Sequence, residues 1–272
     1  FLHSCKGLTA GEQISDDFLH LYAADLARAP NGEWWVVADR TEAPSGMGYA
    51  LEHRIVMSRM LPKLFRQSKV LRLAPFFVTL QDRLRVLAPY NRDNPRVVLL
   101  SDGPANPYHL EDSYLSRYLG YLLVEDGDLA VRGSKLMLKT LGGLQQVDVV
   151  LRHQNSRHCD PLEQNRAEGI AGLTQVVRSD SVAVANQLGS GLVESAAYMA
   201  FAPRLCKAVL GEELLLPNVA TWWCGEQRSL DFVLQNLGRL TVQPAFRNRG
   251  QDEVLRRELQ SLGPEQLAER IR

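Results

Sequence analysis

Two short apolar runs open the readable part of the chain, Leu21 to Ala27 and Trp34 to Ala38, separated by Pro30-Asn31-Gly32. Asn-Gly between two such runs is the strongest short-range hairpin signal, so the pattern predicts a pair of antiparallel strands. Pro44-Ser45-Gly46 then makes a small-residue turn. From Met47 to Phe65 the residues Leu51, Ile55, Val56, Met60, Leu61 and Leu64 recur at helical spacing and predict one helix. A second helix is expected from Pro75 to Leu87, with Phe76, Phe77, Leu80, Leu84 and Leu87 on one face and Pro89 as its stop.

Beyond Pro89 the texture changes. Arg96 to Leu100 is a continuous apolar run, as expected of a strand buried on both faces in a parallel sheet. Ser101-Asp102-Gly103-Pro104 ends it, a helix is predicted from His109 to Leu119, and Leu122 to Val124 is the next strand. Strand, helix and strand make a βαβ unit. Leu129 to Val131 and Lys135 to Leu138 pair as a hairpin over Gly133-Ser134, and Val147 to Leu151 is another buried strand. Gly169 to Val177 reads as helix, Val182 to Ala185 as strand, and Gly189-Ser190-Gly191 as the opening of a further helix. Leu230 to Leu237 reads as helix, Leu240 to Val242 as a last strand, and the polar tail from Asp252 as helix. The pattern predicts one central mixed or parallel sheet holding Val97–Leu100, Leu122–Val124 and Val147–Leu151.

Composition narrows the class. The chain has 272 residues, 45% apolar and 23% charged, with 31 basic residues against 31 acidic ones. These are the proportions of an ordinary globular protein of about two lobes. A net charge of zero argues against a nucleic-acid or polybasic membrane binder, and no apolar run is long enough to span a bilayer. Cys5, Cys159, Cys206 and Cys224 lie far apart, which fits neither a zinc cluster nor a disulfide framework and suggests the cytoplasm. A start on Phe1 and an end at Arg272 inside a helical pattern suggest a piece of a longer protein.

The hairpin carries the most concentrated chemistry. Its strands gather Asp25 and Arg28 beside Asp39 and Arg40, and a small-residue turn then opens a helix. That combination suits an anion or metal–phosphate site, although charges at the end of a hairpin are more often only a solvated ion pair. Gly189-Ser190-Gly191 has two readings, a phosphate cradle or glycines that a tight turn requires. Asp102 and Gly103 stand where open α/β sheets bind ligands, or in a plain turn. His153, His158, Cys159 and Asp160 match no zinc spacing and read as loop residues. No Gly-x-Ser-x-Gly elbow is present, and Trp222-Trp223-Cys224 reads as packing.

The run DLARAPNGEWWVVADRTEAPSGMGYALEHR resembles the circularly permuted ATP-grasp proteins of bacteria, type 2, distant relatives of glutathionylspermidine synthetase. Further matches follow in the family's order: VVLLSDGPANPYHLEDSYLSRYLGYLLVEDGDLAV, LKTLGGLQQVDVVLRH, CDPLE, VAVANQLGSGLVES, LGEELLLPNVATWWCG and LTVQPAF. The resemblance covers nearly everything from Leu21 to Phe246. It implies an α/β (α+β) fold in which permuted ATP-grasp lobes surround an inserted α/β domain. The expected division is 1–90 for the first ATP-grasp part, 91–238 for the insertion and 239–272 for the start of the next ATP-grasp segment.

The resemblance also implies an ATP-dependent carboxylate–amine ligase that works through an acylphosphate. Small carboxylate and amine substrates go with it, and no nucleic acid or membrane partner. On this basis Asp25 and Asp39 are the expected Mg2+ ligands, and Arg28, Arg40 and Arg54 anchor the phosphate or carboxylate. Ser45, Gly46 and Gln243 are assigned to the ATP, and Asp102, Gly103 and Arg152 to the substrate. Three stations depart from the family pattern. Glu-Asp-Asn at the end of the second strand is Ala38-Asp39-Arg40, the lysine of Val-Lys-Pro is Gln243, and Arg-Arg with following aspartates is Arg152 to Arg157. An arginine in a metal shell repels Mg2+ yet can bind phosphate directly. The departures keep open a second reading, an ATP-grasp homologue that has lost ligation and serves as a binding module with a protein partner. A scaffolding role is the third.

Overall fold

In the computed structural model, residues 18–90, 93–164, 168–245, 259 and 261–271 are described. The chain divides into two compact units. One comprises the residues up to Ala23 together with Thr41–Gly191, the other Ala24–Arg40 together with the residues from Leu192 onward.

The hairpin strands are β1 (Ala23–Arg28) and β2 (Trp34–Arg40), closed by the hydrogen bond from Ala29 N–H to the Glu33 carbonyl at 2.8 Å. Helix α1 (Met47–Met60) follows. The single helix expected through Phe65 is in fact two. Leu61 adopts φ −127°, and α2 (Pro62–Gln67) begins on the proline. Pro62 has no N–H for the α1 ladder and drives its predecessor out of helical geometry, so the apolar stripe continues while the backbone restarts. Helix α3 (Ala74–Leu87) completes this region.

The central sheet forms as the pattern predicts. It joins β3 (Val97–Leu100), β4 (Leu122–Val124), β8 (Val149–Arg152) and β9 (Ala183–Ala185) in the order β4-β3-β8-β9, all parallel. Helix α4 (His109–Leu119) crosses from β3 to β4 and ends on Gly120 at φ 72°. Alternate residues of β3 enter different cores. Val97 and Leu99 meet Leu51 of α1, Phe77, Leu80 and Leu84 of α3 and Leu115 of α4. Val98 and Leu100 meet Leu136, Leu138, Leu173 and Val176. Burial on both faces is why the strand reads as an unbroken apolar run.

The second core is capped by an antiparallel sheet of β5 (Leu129–Arg132), β6 (Lys135–Thr140) and β7 (Gly143–Gln146). The pattern predicted only the first two strands. β7 has a single apolar residue, Leu144, and its ladder to β6 supplies the order that side chains do not. After β8 come α5 (Ser156–Cys159), α6 (Pro161–Gln164) and α7 (Leu173–Arg178). Helix α7 starts later than the Gly169 expected, because Gly172 takes a left-handed φ of 85° and Asp160 accepts the N–H groups of Gly172 and Thr174.

Gly189-Ser190-Gly191 does not open an α-helix. A 3-10 turn runs from Ser190 to Glu194, and α8 (Ala196–Leu210) follows, with the Ser195 hydroxyl accepting from Ala197 N–H. Helix α9 (Gln227–Gln235) and α10 (Pro264–Ile271) complete the second unit. Leu240 to Val242, expected as a strand, is irregular. Among the described residues these three have no strand partner, and a short apolar-leaning run does not make a strand alone. The expected start of the tail helix at Asp252 lies outside the described residues. Among the described residues no helix is long and apolar enough to cross a membrane.

Candidate functional site

A cavity of about 1090 Å³ opens in the unit formed by Ala24–Arg40 and the chain from Leu192. The hairpin is tied into this unit by β2. Val36 N–H donates to the Pro217 carbonyl and Val219 N–H to the Val36 carbonyl, both at 2.9 Å. That bridge brings Asp25, Ala38 and Arg40 to the same space as Thr221 to Gly225 and Arg239 to Ala245, Gln243 among them. Trp222 stacks on Phe232 at 4.7 Å, and Trp223 meets Phe201 edge-on at 5.6 Å. Both tryptophans are therefore held by packing on one side and line the cavity on another.

Arg40 and Asp25 form the polar centre of the wall. Nη2 of Arg40 stands 2.5 Å from Oδ2 of Asp25, and Nε is 3.4 Å from Oδ1. The fork of the guanidinium thus spans both carboxylate oxygens. The pair is not buried: the side chains keep 35% and 49% of their exposure. Arg239 and Arg270 also line the cavity. Neither was singled out from the sequence, because nothing in a lone arginine near an irregular stretch or on a polar helix marks it. Trp222 and Trp223 were read as packing alone, yet they also face the cavity. Burial pushes the thiol of Cys224, beside them, up from its ordinary value.

The other expected site residues lie elsewhere or are committed to local bonds. Arg28 folds back on its own turn, donating from Nε to the Gly32 carbonyl at 3.2 Å and lying over the Trp34 ring at 5.8 Å. Asp39 is half-buried and outside the cavity lining. Arg54, on α1, donates to the Leu71 carbonyl. Ser45 is exposed. Gly46 has its N–H within 2.7 and 2.8 Å of the two carboxylate oxygens of Glu111, which also accepts from Gly48 N–H at 2.9 Å. The helix start that suits an anion therefore already holds one, a buried carboxylate of the protein.

Asp102 accepts from Asn106 at 2.8 Å and stands 4.0 Å from Nδ1 of His158. Gly103 has φ 83°, and the Glu125 carboxylate packs so closely that a Cβ there would lie 2.9 Å from it. Arg152 is wholly enclosed. It bonds the Glu42 carboxylate at 2.8 Å, the Glu42 and Asn186 carbonyls at 2.9 and 3.1 Å, and the Ser190 hydroxyl at 3.3 Å. The Gly-Ser-Gly segment belongs to this network. Thr41 donates to the Ser190 carbonyl, Gly189 N–H donates to Ser156, and a Cβ on Gly191 would fall 1.7 Å from a Glu42 oxygen. Close packing accounts for Gly191, and a left-handed φ of 92° for Gly189.

Of the residues after β8, His153 and Cys159 are buried. His153 Nδ1 is 2.7 Å from an oxygen of Asp112, whose other oxygen accepts from Ser101 at 2.5 Å. Burial drives the Cys159 thiol up to about 12, which removes it as a nucleophile.

The circularly permuted ATP-grasp type 2 family matches residues 1–272, and the chain belongs to that family. Its relatives include the uncharacterized protein Rv2567 of Mycobacterium tuberculosis, 37% identical over 228 residues, covering 83% of this chain and 26% of that protein. Another is the uncharacterized protein sll0335 of Synechocystis, 33% identical over 274 residues, covering 100% of this chain and 56% of the relative. A third, Rv2411c of M. tuberculosis, is 33% identical over 229 residues, 83% of this chain and 41% of the relative. The chain thus spans from about a quarter to just over half of the length of these relatives.

The family uses ATP and Mg2+. The cavity has arginines, an amide and two indoles in its wall, donors and flat apolar surface of the kind a nucleotide needs. The described residues offer no matching set for the divalent ion. Among the described residues no three His, Cys, Asp or Glu side chains stand together as ligands, and Asp25 already faces a guanidinium.

Proposed function

We propose that this chain supplies the phosphate-facing wall of an ATP site in a protein related to ATP-dependent carboxylate–amine ligases. One observation carries the reading: Asp25, Arg40 and Gln243, from segments far apart in sequence, line one cavity. In this reading the Arg40 fork and the Gln243 amide take phosphate oxygens. The indoles of Trp222 and Trp223 give flat apolar surface against which a purine packs. ATP, when bound, would provide the phosphoryl group that activates a small carboxylate toward an amine, the chemistry the family resemblance implies.

A second reading is a binding module without ligation. The Asp25–Arg40 pair favours it, since a cation of the protein sits where the resemblance implies a metal ligand. Calorimetry with ATP, followed by tryptophan fluorescence, tests the shared ground of both. Wild type binds, and Gln243→Ala and Arg40→Ala each weaken binding; absence of ATP binding sinks the nucleotide reading. Nucleotide-dependent phosphate release with amino acids and small peptides then separates ligase from module.

A further inference from the structure

Among the described residues the cavity lining has the opposite charge from a metal site, with the guanidiniums of Arg40, Arg239 and Arg270 against the carboxylate of Asp25. Asp25 is engaged by the fork of Arg40, at 2.5 Å from Nη2. A divalent ion approaching Asp25 meets a fixed positive charge within hydrogen-bond reach of its would-be ligand, and among the described residues no group of three His, Cys, Asp or Glu side chains gathers to hold it. Phosphate oxygens meet the reverse: a planar donor fork matched to them, partly open to solvent, and two more arginines in the same wall. The Asp25–Arg40 pair keeps a third to a half of its exposure, so its partner exchange needs no buried charge to be stranded.

We propose that this cavity binds a polyphosphate without a divalent ion, Arg40 being the built-in cation and Asp25 its resting partner and competitor. The inference rests on the nucleotide reading for the identity of ATP but not for the polyphosphate. Asp25 is here a positioning residue, which reverses the role a metal ligand has. Removing a metal ligand weakens metal-borne phosphate binding; removing a carboxylate that competes for Arg40 strengthens direct binding.

The test is calorimetry on the full chain with sodium tripolyphosphate and with ATP, each in EDTA and in MgCl2. The expected result is saturable binding of both in EDTA, with no gain from Mg2+. Asp25→Asn should bind tripolyphosphate about three- to tenfold more tightly in EDTA, and Arg40→Ala at least about tenfold more weakly. Circular dichroism and the urea midpoint establish that the variants, altered at a half-exposed pair, remain folded. Binding that requires Mg2+, or that Asp25→Asn weakens, overturns the inference and leaves the nucleotide reading standing. Metal-free tripolyphosphate binding without ATP binding supports the inference and ends the nucleotide reading. No binding of either ligand ends both.

Discussion

Two arginine–carboxylate pairs divide the roles of the two units. Arg152 and Glu42 meet at 2.8 Å with side chains 0% and 5% exposed, while Arg40 and Asp25 meet at 2.5 Å with 35% and 49%. The first guanidinium is satisfied from several directions by main-chain carbonyls, a carboxylate and a hydroxyl. It anchors the loop after β2 to the strand ends of the sheet. The second stands in a cavity wall. The same two residue types thus give a fixed structural joint in one unit and an exchangeable ligand contact in the other. Burial decides between them, because an enclosed ion pair cannot lose one partner without stranding the other.

The strongest way to break this comparison is at Arg152. Arg152→Met should destabilise the fold by about 3–5 kcal/mol, since Glu42 is left buried and unpaired. Urea denaturation reads the loss, and adding Glu42→Leu should recover much of it. A loss below about 1 kcal/mol would mean the network is not a structural joint.

Glycine 191 comes next. A methyl group there would enter the space of the Glu42 carboxylate, 1.7 Å from Oε2 and 2.6 Å from Cδ. Gly191→Ala should therefore cost about 1–3 kcal/mol, as overpacking of a filled site does. Thermal denaturation reads it, with Gly238→Ala, where a Cβ meets nothing, as the unaffected control.

Acid sharpens the contrast further. Burial of Glu42 pushes its carboxyl up, but the charge of Arg152 and hydrogen bonds from Ser156 and Arg152 outweigh it and hold the group below the ordinary 4.5. A folded-state value below the unfolded one means that ionised Glu42 stabilises the protein above about pH 4.5. That contribution is lost as the pH falls through the lower folded value. Stability measured from pH 6 to pH 3 should fall with a component that disappears in the Arg152→Met/Glu42→Leu double variant. An unchanged slope would detach Glu42 from acid unfolding.

The smallest effect on stability belongs to the exposed pair. Asp25→Asn or Arg40→Asn should change the unfolding free energy, read by urea denaturation, by no more than about 1 kcal/mol. Arg40→Asn is expected to weaken the binding of ATP and of tripolyphosphate, read by calorimetry in the full-length protein. A large stability loss with no change in binding would make the hairpin pair structural, like Arg152.

Particular residues say how much of this was legible beforehand. Val97 to Leu100 announced a doubly buried strand because both faces of the sheet are covered, and an unbroken apolar run has few other solutions. Asn31-Gly32 announced the hairpin, and Gly120 the end of a helix, through backbone geometry that few residues satisfy. Gly46 was legible as a helix start suited to an anion, but not that Glu111, 65 positions away, fills it. Gln146 and its neighbours in β7 carry no apolar alternation, so only pairing with β6 makes them a strand.

The sequence by itself determined most of the local elements, which strands share the central sheet, and the family, because these rest on periodicity, turn chemistry and long ordered motifs. It also placed Asp25 and Arg40 on one hairpin. Only the tertiary structure decided which arginine became a joint and which a cavity wall. Arg40 and Arg152 are the same residue in the sequence. Whether Asn186, Gln187 and Ser190 gather around one, or Gln243 and Trp223 line the space beside the other, depends on contacts between distant segments that no local pattern encodes.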